Sequence, residues 1–159
     1  MKIGRVTLSD RANAGIYEDI SGPAIELVLR ECWGSPCDFL VRLLPDEQDQ
    51  IEAALIELCD QEQCPLVVTT GGTGPSVRDV TPEATHAVIE KELPGFGEAM
   101  RMKSFATVPT AILTRSTAGI RGSSLILNLP GNPRAIRECL PMLVPAIREC
   151  LKHLNHPTG

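Results

Sequence analysis

The stretch from Leu66 to Thr85 constrains the fold more than any other, because it joins an apolar β-branched run, a glycine loop and a helix start without interruption. Leu66 to Thr70 reads as a buried strand, and Gly71, Gly72 and Gly74 free the backbone to bend closely around a ligand. Thr81 reads as an N-cap, Pro82 as the first helical residue and Glu83 as an acid in the first turn, so a helix opens with its positive end near the loop. A strand, an anion-accepting loop and a helix in that order belong to α/β proteins. The loop lacks the Lys-Ser/Thr ending of a P-loop and the spacing of the dinucleotide fingerprint. A tight strand-to-helix turn accounts for its glycines as well as phosphate binding does.

Apolar patterns alternate along the rest of the chain between strand and helix periods, which predicts a three-layer α/β sandwich with a mostly parallel sheet between helices. Strands are expected at Ile3 to Ser9, Phe39 to Leu44, Leu66 to Thr70, Thr110 to Thr114 and Ser124 to Leu129, with Gly119 to Gly122 as a turn region able to hold a minor strand. Asp10 to Asp19 reads as an irregular loop. Helices are expected at Pro23 to Cys32, from Asp46 with Ile51, Ala54, Leu55 and Leu58 on one face, at Pro82 to Glu92, and at Gly97 to Phe105. Pro130-Gly131-Asn132-Pro133 forms a second glycine turn that opens a last helix, which Pro141 and Pro145 should kink or split.

Composition narrows the function classes. At 159 residues the chain is expected to be one domain with an ordinary core, and neither repeat nor linker is visible. A net charge of -5 with one Trp, one Tyr and three Phe argues against a nucleic-acid binder. No run is apolar enough to cross a bilayer and no signal peptide precedes the first strand, so a cytoplasmic location is expected. The six cysteines form no Cys-x-x-Cys pair and read as reduced structural thiols, while His86, His153 and His156 show no ligand spacing, the last two on a solvated, frayed end.

Ligands of open α/β sheets collect at the carboxyl ends of strands, so residues just after strands are the candidates. Ser9 and Asp10 follow the first expected strand, Asp46 the second, Gly71 to Asp79 the third, Thr114 the fourth, and Gly131 with Asn132 the fifth. Each also has an ordinary structural explanation. Asp46 suits a helix cap, Asp79 an Asx turn, and Ser9-Asp10-Arg11 a plain loop. Arg78, Arg101, Lys103 and Arg115 are available to neutralise phosphate, as solvated surface bases commonly are. Two carboxylates in a phosphate cleft repel the ligand unless a divalent cation stands between them, and Mg²⁺ uses one or two carboxylates plus substrate phosphates. Asp46 and Asp79 together therefore suggest a Mg²⁺-nucleotide.

Thr69-Thr70-Gly71-Gly72-Thr73-Gly74-Pro75, Arg78-Asp79-Val80-Thr81-Pro82-Glu83-Ala84-Thr85 and Leu129-Pro130-Gly131-Asn132-Pro133 resemble the molybdopterin adenylyltransferase family. Ser9-Asp10-Arg11, Pro45-Asp46-Glu47 and Pro94-Gly95-Phe96-Gly97-Glu98 are similar to further family segments in the same order, so the likeness spans nearly the whole chain. It implies the molybdopterin-binding type of α/β sandwich, and an enzyme that uses ATP and Mg²⁺ to adenylylate the terminal phosphate of molybdopterin with release of pyrophosphate. It also implies a homotrimer and, as a candidate partner, a molybdate-inserting protein. On that resemblance Asp46 and Asp79 serve catalysis and Mg²⁺, while Ser9, Asp10, Thr70, Gly71, Gly72, Thr73, Gly74, Thr114, Pro130, Gly131 and Asn132 line the ligand cleft. Thr114 stands where plant relatives carry a serine, which keeps a hydroxyl. Competing readings are a non-catalytic molybdopterin-binding protein and a trimeric scaffold module. The intact Arg78-Asp79-Val80-Thr81-Pro82 run favours the enzyme.

Overall fold

The computed structural model describes residues 1–154. Six strands form one sheet in the order β2-β1-β3-β6-β5-β4, comprising β1 (Lys2–Leu8), β2 (Asp38–Leu44), β3 (Leu66–Thr70), β4 (Lys91–Glu92), β5 (Ala118–Arg121) and β6 (Ser124–Leu129). The strands β2, β1, β3 and β6 run parallel, whereas β5 is antiparallel to β6 and β4 to β5. Helices α1 (Asp10–Asn13), α2 (Ser21–Trp33), α3 (Gln48–Ile56), α4 (Thr81–Val88), α5 (Gly95–Phe105) and α6 (Pro133–His153) complete the fold.

Strand periodicity divides the core into two apolar layers. Ile3, Leu66, Val68, Leu125 and Leu127 face one way and pack with Ile25, Leu29 and Trp33 of α2 and Leu140 and Ile147 of α6. Val6, Leu8, Val67 and Ile126 face the other way onto Ile51 and Leu55 of α3, Leu58 beyond it, and Ala84 and Val88 of α4. Helices α2 and α3 thus lie on opposite faces, and they carry the chain from β1 to β2 and back across β1 to β3. The chain leaves β1 and β3 in opposite directions, which opens a crevice at their carboxyl ends.

Several segments depart from the sequence reading. Asp10 to Asp19 is not wholly irregular: the Ser9 hydroxyl accepts the Ala12 N–H at 3.2 Å and caps α1. Thr110 to Thr114 is no strand but falls on a 3₁₀ turn, Pro109–Leu113, whose Ile112 is 61% exposed; with no neighbouring strand to pair, its β-branched residues count for nothing. The strand in that region is instead Ala118–Arg121. There Gly119 is required, since a Cβ would sit 2.4 Å from Ile89 and 2.8 Å from the Lys91 carbonyl oxygen. The helix after the glycine loop ends at Val88, and Lys91–Glu92 joins the sheet edge. Helix α6 is not split at Pro141 or Pro145, because Ile136, Leu140, Leu143, Val144, Ile147 and Leu151 bury one continuous face. His153 is the last residue of that helix, with an exposed side chain, and His156 lies outside the described residues. Among the described residues no helix is long and apolar enough to cross a membrane.

Candidate functional site

The glycine loop is shaped by contacts that admit no side chain. Gly71 has φ +93°, and a Cβ there would lie 2.2 Å from the Leu8 carbonyl oxygen at the end of β1. Gly72 has φ +61°, and its Cβ would lie 2.3 Å from Thr81 Oγ1 and 3.0 Å from Asp46 Oδ1. Thr81 is not the cap but the first residue of α4, with Pro82 second. Its hydroxyl donates to the Gly71 carbonyl at 2.8 Å and its N–H to the Gly72 carbonyl at 3.1 Å, fastening the loop to the helix that follows. The second glycine turn abuts the first. Thr70 Oγ1 donates to the Pro130 carbonyl at 2.8 Å, and a Cβ on Gly131 would meet Gly71 Cα at 3.4 Å. Asn132 caps α6 by accepting the Arg134 N–H at 2.9 Å.

The acids converge on this loop. Asp46 does not cap a helix: α3 begins at Gln48, its cap position is Glu47, and no side chain bonds there. Instead, Asp46 Oδ2 accepts the Asp10 N–H and Asp10 Oδ1 accepts the Asp46 N–H, each at 3.0 Å, tying the exits of β1 and β2 together. The other oxygen, Asp46 Oδ1, is buried with no partner among the described residues and is the atom that confronts Gly72. Burial, with the negative charges of Asp10 and Asp79 behind it, holds the Asp46 carboxyl above the usual carboxylate range, opposed by the Asp10 N–H. Asp10 is held low by Arg78, which forks onto it at 2.9 and 3.0 Å and reaches Glu47 at 2.8 Å. Asp79 Oδ2 accepts the Ser76 N–H at 3.0 Å, a local turn contact, and lies 2.8 Å from where a Gly74 Cβ would stand. The Asx-turn explanation and a place beside the loop therefore hold together for Asp79.

Arginines serve the loop differently from the expectation of free phosphate ligands. Arg115 spends its guanidinium internally, on the Gly74 carbonyl at 2.9 Å, the Asp79 carbonyl at 2.7 Å and the Glu83 carboxylate. Its own N–H bonds the Thr73 carbonyl at 2.8 Å. Arg101 donates to the Thr114 and Ser116 carbonyls at 3.3 and 3.1 Å. Lys103 stands exposed on α5. Thr114 follows a turn rather than a strand, yet its hydroxyl reaches Thr73 Oγ1 at 3.3 Å and Ser116 Oγ at 2.9 Å. Ser116 and the bracing role of Arg115 were missed by sequence reasoning, because residues after an irregular turn carry no periodic signal.

Two cavities flank the loop. One, of about 190 Å³, opens at the β1/β3 crevice among Thr7, Ser9, Tyr17, Asp19, Gly71 and Gly131. The other, of about 340 Å³, lies on the β4/β5 side among His86, Glu92, Arg101, Thr114, Ser116 and Thr117. Of the expected site residues, Ser9, Gly71 and Gly131 line the first hollow and Thr114 the second, while Asp46 and Asp79 line neither. Among the described residues no three His, Cys, Asp or Glu side chains converge as a metal cage.

Residues 4–149 match the probable molybdopterin binding domain family. The chain belongs to that family. It is 59% identical over 149 residues to a molybdopterin adenylyltransferase of Helicobacter pylori, covering 94% of this chain and 85% of the relative. It is 54% identical over 140 residues to a molybdopterin adenylyltransferase of Escherichia coli K12, covering 88% of this chain and 72% of the relative. The fold is similar to the crystal structure of the molybdopterin biosynthesis enzyme MoaB of Thermus thermophilus, with TM-score 0.90, 38% identity and 99% of each chain covered. The α/β sandwich read from the sequence is the fold that the chain shares with that solved structure.

Proposed function

We propose that this protein is a molybdopterin adenylyltransferase of molybdenum cofactor biosynthesis, a nucleotidyltransferase that moves AMP from ATP to the terminal phosphate of molybdopterin. One observation carries the reading. A buried carboxylate oxygen with no partner, on Asp46, faces a glycine loop that also carries Asp79, an arrangement that is costly unless a cation comes to it. Asp46 and Asp79 would hold the Mg²⁺ of Mg-ATP, and the bound ion would offset charge between these carboxylates and the phosphates.

In the reaction a terminal phosphate oxygen of molybdopterin attacks the α-phosphorus of ATP; that P–O bond forms as the bond to the pyrophosphate oxygen breaks. The attacking phosphate is already an anion, so no strong base is required. What the chain supplies is alignment and electrostatics. The Gly71 to Gly74 backbone, packed where no side chain fits, would let a ligand approach closely, Thr70 and Pro130 hold the two glycine turns in register, and Arg115 braces the loop. Met102, Phe105 and Ile112 leave an apolar face on and beside α5, which supports assembly as a homotrimer. A cytoplasmic location and a molybdate-inserting partner accompany this reading.

Incubating the purified protein with molybdopterin, ATP and Mg²⁺ and following pyrophosphate release and adenylylated pterin tests it. Asp79→Asn should lower turnover about 10²-fold or more with the fold intact. Asp46→Asn should do the same while leaving thermal stability unchanged or higher, because Asn still accepts the Asp10 N–H and removes a buried charge. Full activity in either variant, or no adduct from the wild type, defeats the proposal.

A further inference from the structure

The limb of the glycine loop that carries Asp79 has little apolar burial to hold it. Pro75, Ser76, Val77 and Arg78 are all exposed, Val77 at 96%. Polar contacts fasten the limb instead. Arg115 holds its backbone from one side, through the Gly74 and Asp79 carbonyls. On the other side Arg78 reaches from the limb to the exits of β1 and β2, with Nε on Asp10 Oδ2 at 3.0 Å and Nη2 on Asp10 Oδ1 at 2.9 Å and on Glu47 at 2.8 Å. Its partners lie 68 and 31 residues away, so local turn chemistry does not call for these bonds.

Half-exposed ion pairs such as these contribute little to stability. What the fork adds is direction, because a planar guanidinium bonded to both oxygens of a carboxylate fixes its orientation as well as its charge. Asp10 is the carboxylate so fixed. Its Oδ1 also accepts the Asp46 N–H, while Asp46 Oδ2 accepts the Asp10 N–H, so the side chain that Arg78 orients is one half of the clasp that holds Asp46. Among the described residues Arg78 is also the one cation paired with any of the carboxylates of Asp10, Asp46, Glu47 and Asp79. Without it Asp10 and Asp46 would face each other as like charges, and repulsion would open the clasp that sets Asp46 Oδ1 against Gly72. An arginine drawn off to a phosphate would leave the same repulsion behind.

We propose that Arg78 is a positioning residue that acts through Asp10, holding the Asp10–Asp46 clasp closed so that Asp46 presents Oδ1 to the glycine loop before cation and nucleotide arrive. The inference rests on the role proposed above for Asp46 toward Mg²⁺. Two variants test it. Arg78→Lys keeps the charge but cannot fork, and Asp10→Asn keeps an oxygen for the Asp46 N–H and a main-chain N–H for Asp46 Oδ2 while giving up the fork. Affinity for the Mn²⁺ complex of α,β-methylene ATP, which cannot transfer AMP, is read by electron paramagnetic resonance. Each variant should bind that complex at least about tenfold more weakly, and the double variant no more weakly than either alone. Tm should stay within about 4 °C of the wild type. In turnover kcat should fall while KM for molybdopterin holds. Wild-type affinity in Arg78→Lys, or losses that multiply in the double variant, would make Arg78 a plain charge for phosphate and overturn the positioning role. Because affinity is read without transfer, a wild type that binds the complex yet forms no adenylylated pterin removes only the proposed function, while one that binds no Mn²⁺ complex removes both.

Discussion

Replacing Arg5 with Met should cost this protein about 3 kcal/mol, far more than loss of an ordinary surface ion pair. Arg5 sits on β1 with a side chain only 7% exposed, and its guanidinium contacts Asp19 at 2.7 Å, Glu26 at 2.9 and 3.1 Å and Thr7 Oγ1 at 3.0 Å. Breaking a buried pair by deleting one partner typically costs about 3–5 kcal/mol, because the remaining charge is left uncompensated. The low end applies here, since Asp19 keeps the Thr7 hydroxyl and the Gly22 N–H, both at 2.9 Å. For a chain of this size about 3 kcal/mol corresponds to a Tm drop of about 6–12 °C, and to a urea midpoint lower by about 1–3 M. Lys2→Met is the control: its bridge to Glu62 is 43% and 37% exposed, and should contribute less than about 1 kcal/mol. Adding Asp19→Asn to Arg5→Met should destabilise by less than the sum of the single changes. A loss under about 1 kcal/mol, or strict additivity with Asp19→Asn, would refute the claim that this cluster acts as one buried unit.

Two further outcomes follow from the loop and its acids. Gly71→Ala should abolish activity and lower Tm by several degrees, since φ +93° costs a non-glycine residue about 1–3 kcal/mol and the methyl would press on the Leu8 carbonyl at the β1/β3 crevice; wild-type turnover in that variant would show that the close approach is unnecessary. In acid, Asp10, Asp60, Glu57 and Glu83 are each held below their ordinary values of 3.8 or 4.5, chiefly by Arg78, Arg121, Arg42 and Arg115 respectively. Depressed folded values mean that their stabilisation is present above about pH 4.5 and is lost as pH falls through them, whereas the raised Asp46 acts with the opposite sign. Tm should therefore decline from pH 5 towards pH 3, and a flat profile would count against these pairs.

What the sequence made legible was what periodicity and turn chemistry encode. The strands β1, β3 and β6 are buried through both layers, so their apolar runs stood out, edge strand β2 showed its run though only partly buried, and Ile51, Ala54, Leu55 and Leu58 marked the face of α3 and its continuation. Thr110 to Thr114 misled because β-branched composition signals a strand only where a neighbouring strand exists, and here the chain turns through Pro109–Leu113 in the open. The strand Ala118–Arg121 overlaps the minor strand that the Gly119 to Gly122 turn region was expected to be able to hold, and the structure uses Gly119 to pass Ile89. Pro141 and Pro145 were read from local backbone chemistry, yet the buried stripe of α6 holds one helix across both.

The site was partly legible for a related reason. Glycines and prolines at strand ends announce bends, so both glycine turns were found, but the partner of each acid is set by topology rather than by neighbours in sequence. Asp46 looked like a cap because Gln48 begins a helix two residues on. Its carboxylate turned instead to Asp10, 36 residues away, because β2 lies beside β1 in register and brings their exits together. The same placement explains the orphaned Oδ1. Oδ2 is committed to the Asp10 N–H, and the other oxygen, Oδ1, lies buried against the side-chain-free face of Gly72 with no partner among the described residues. A cap would have filled its bonds locally, and an acid drawn across two strands and left half-satisfied fits the cation-binding role proposed for it.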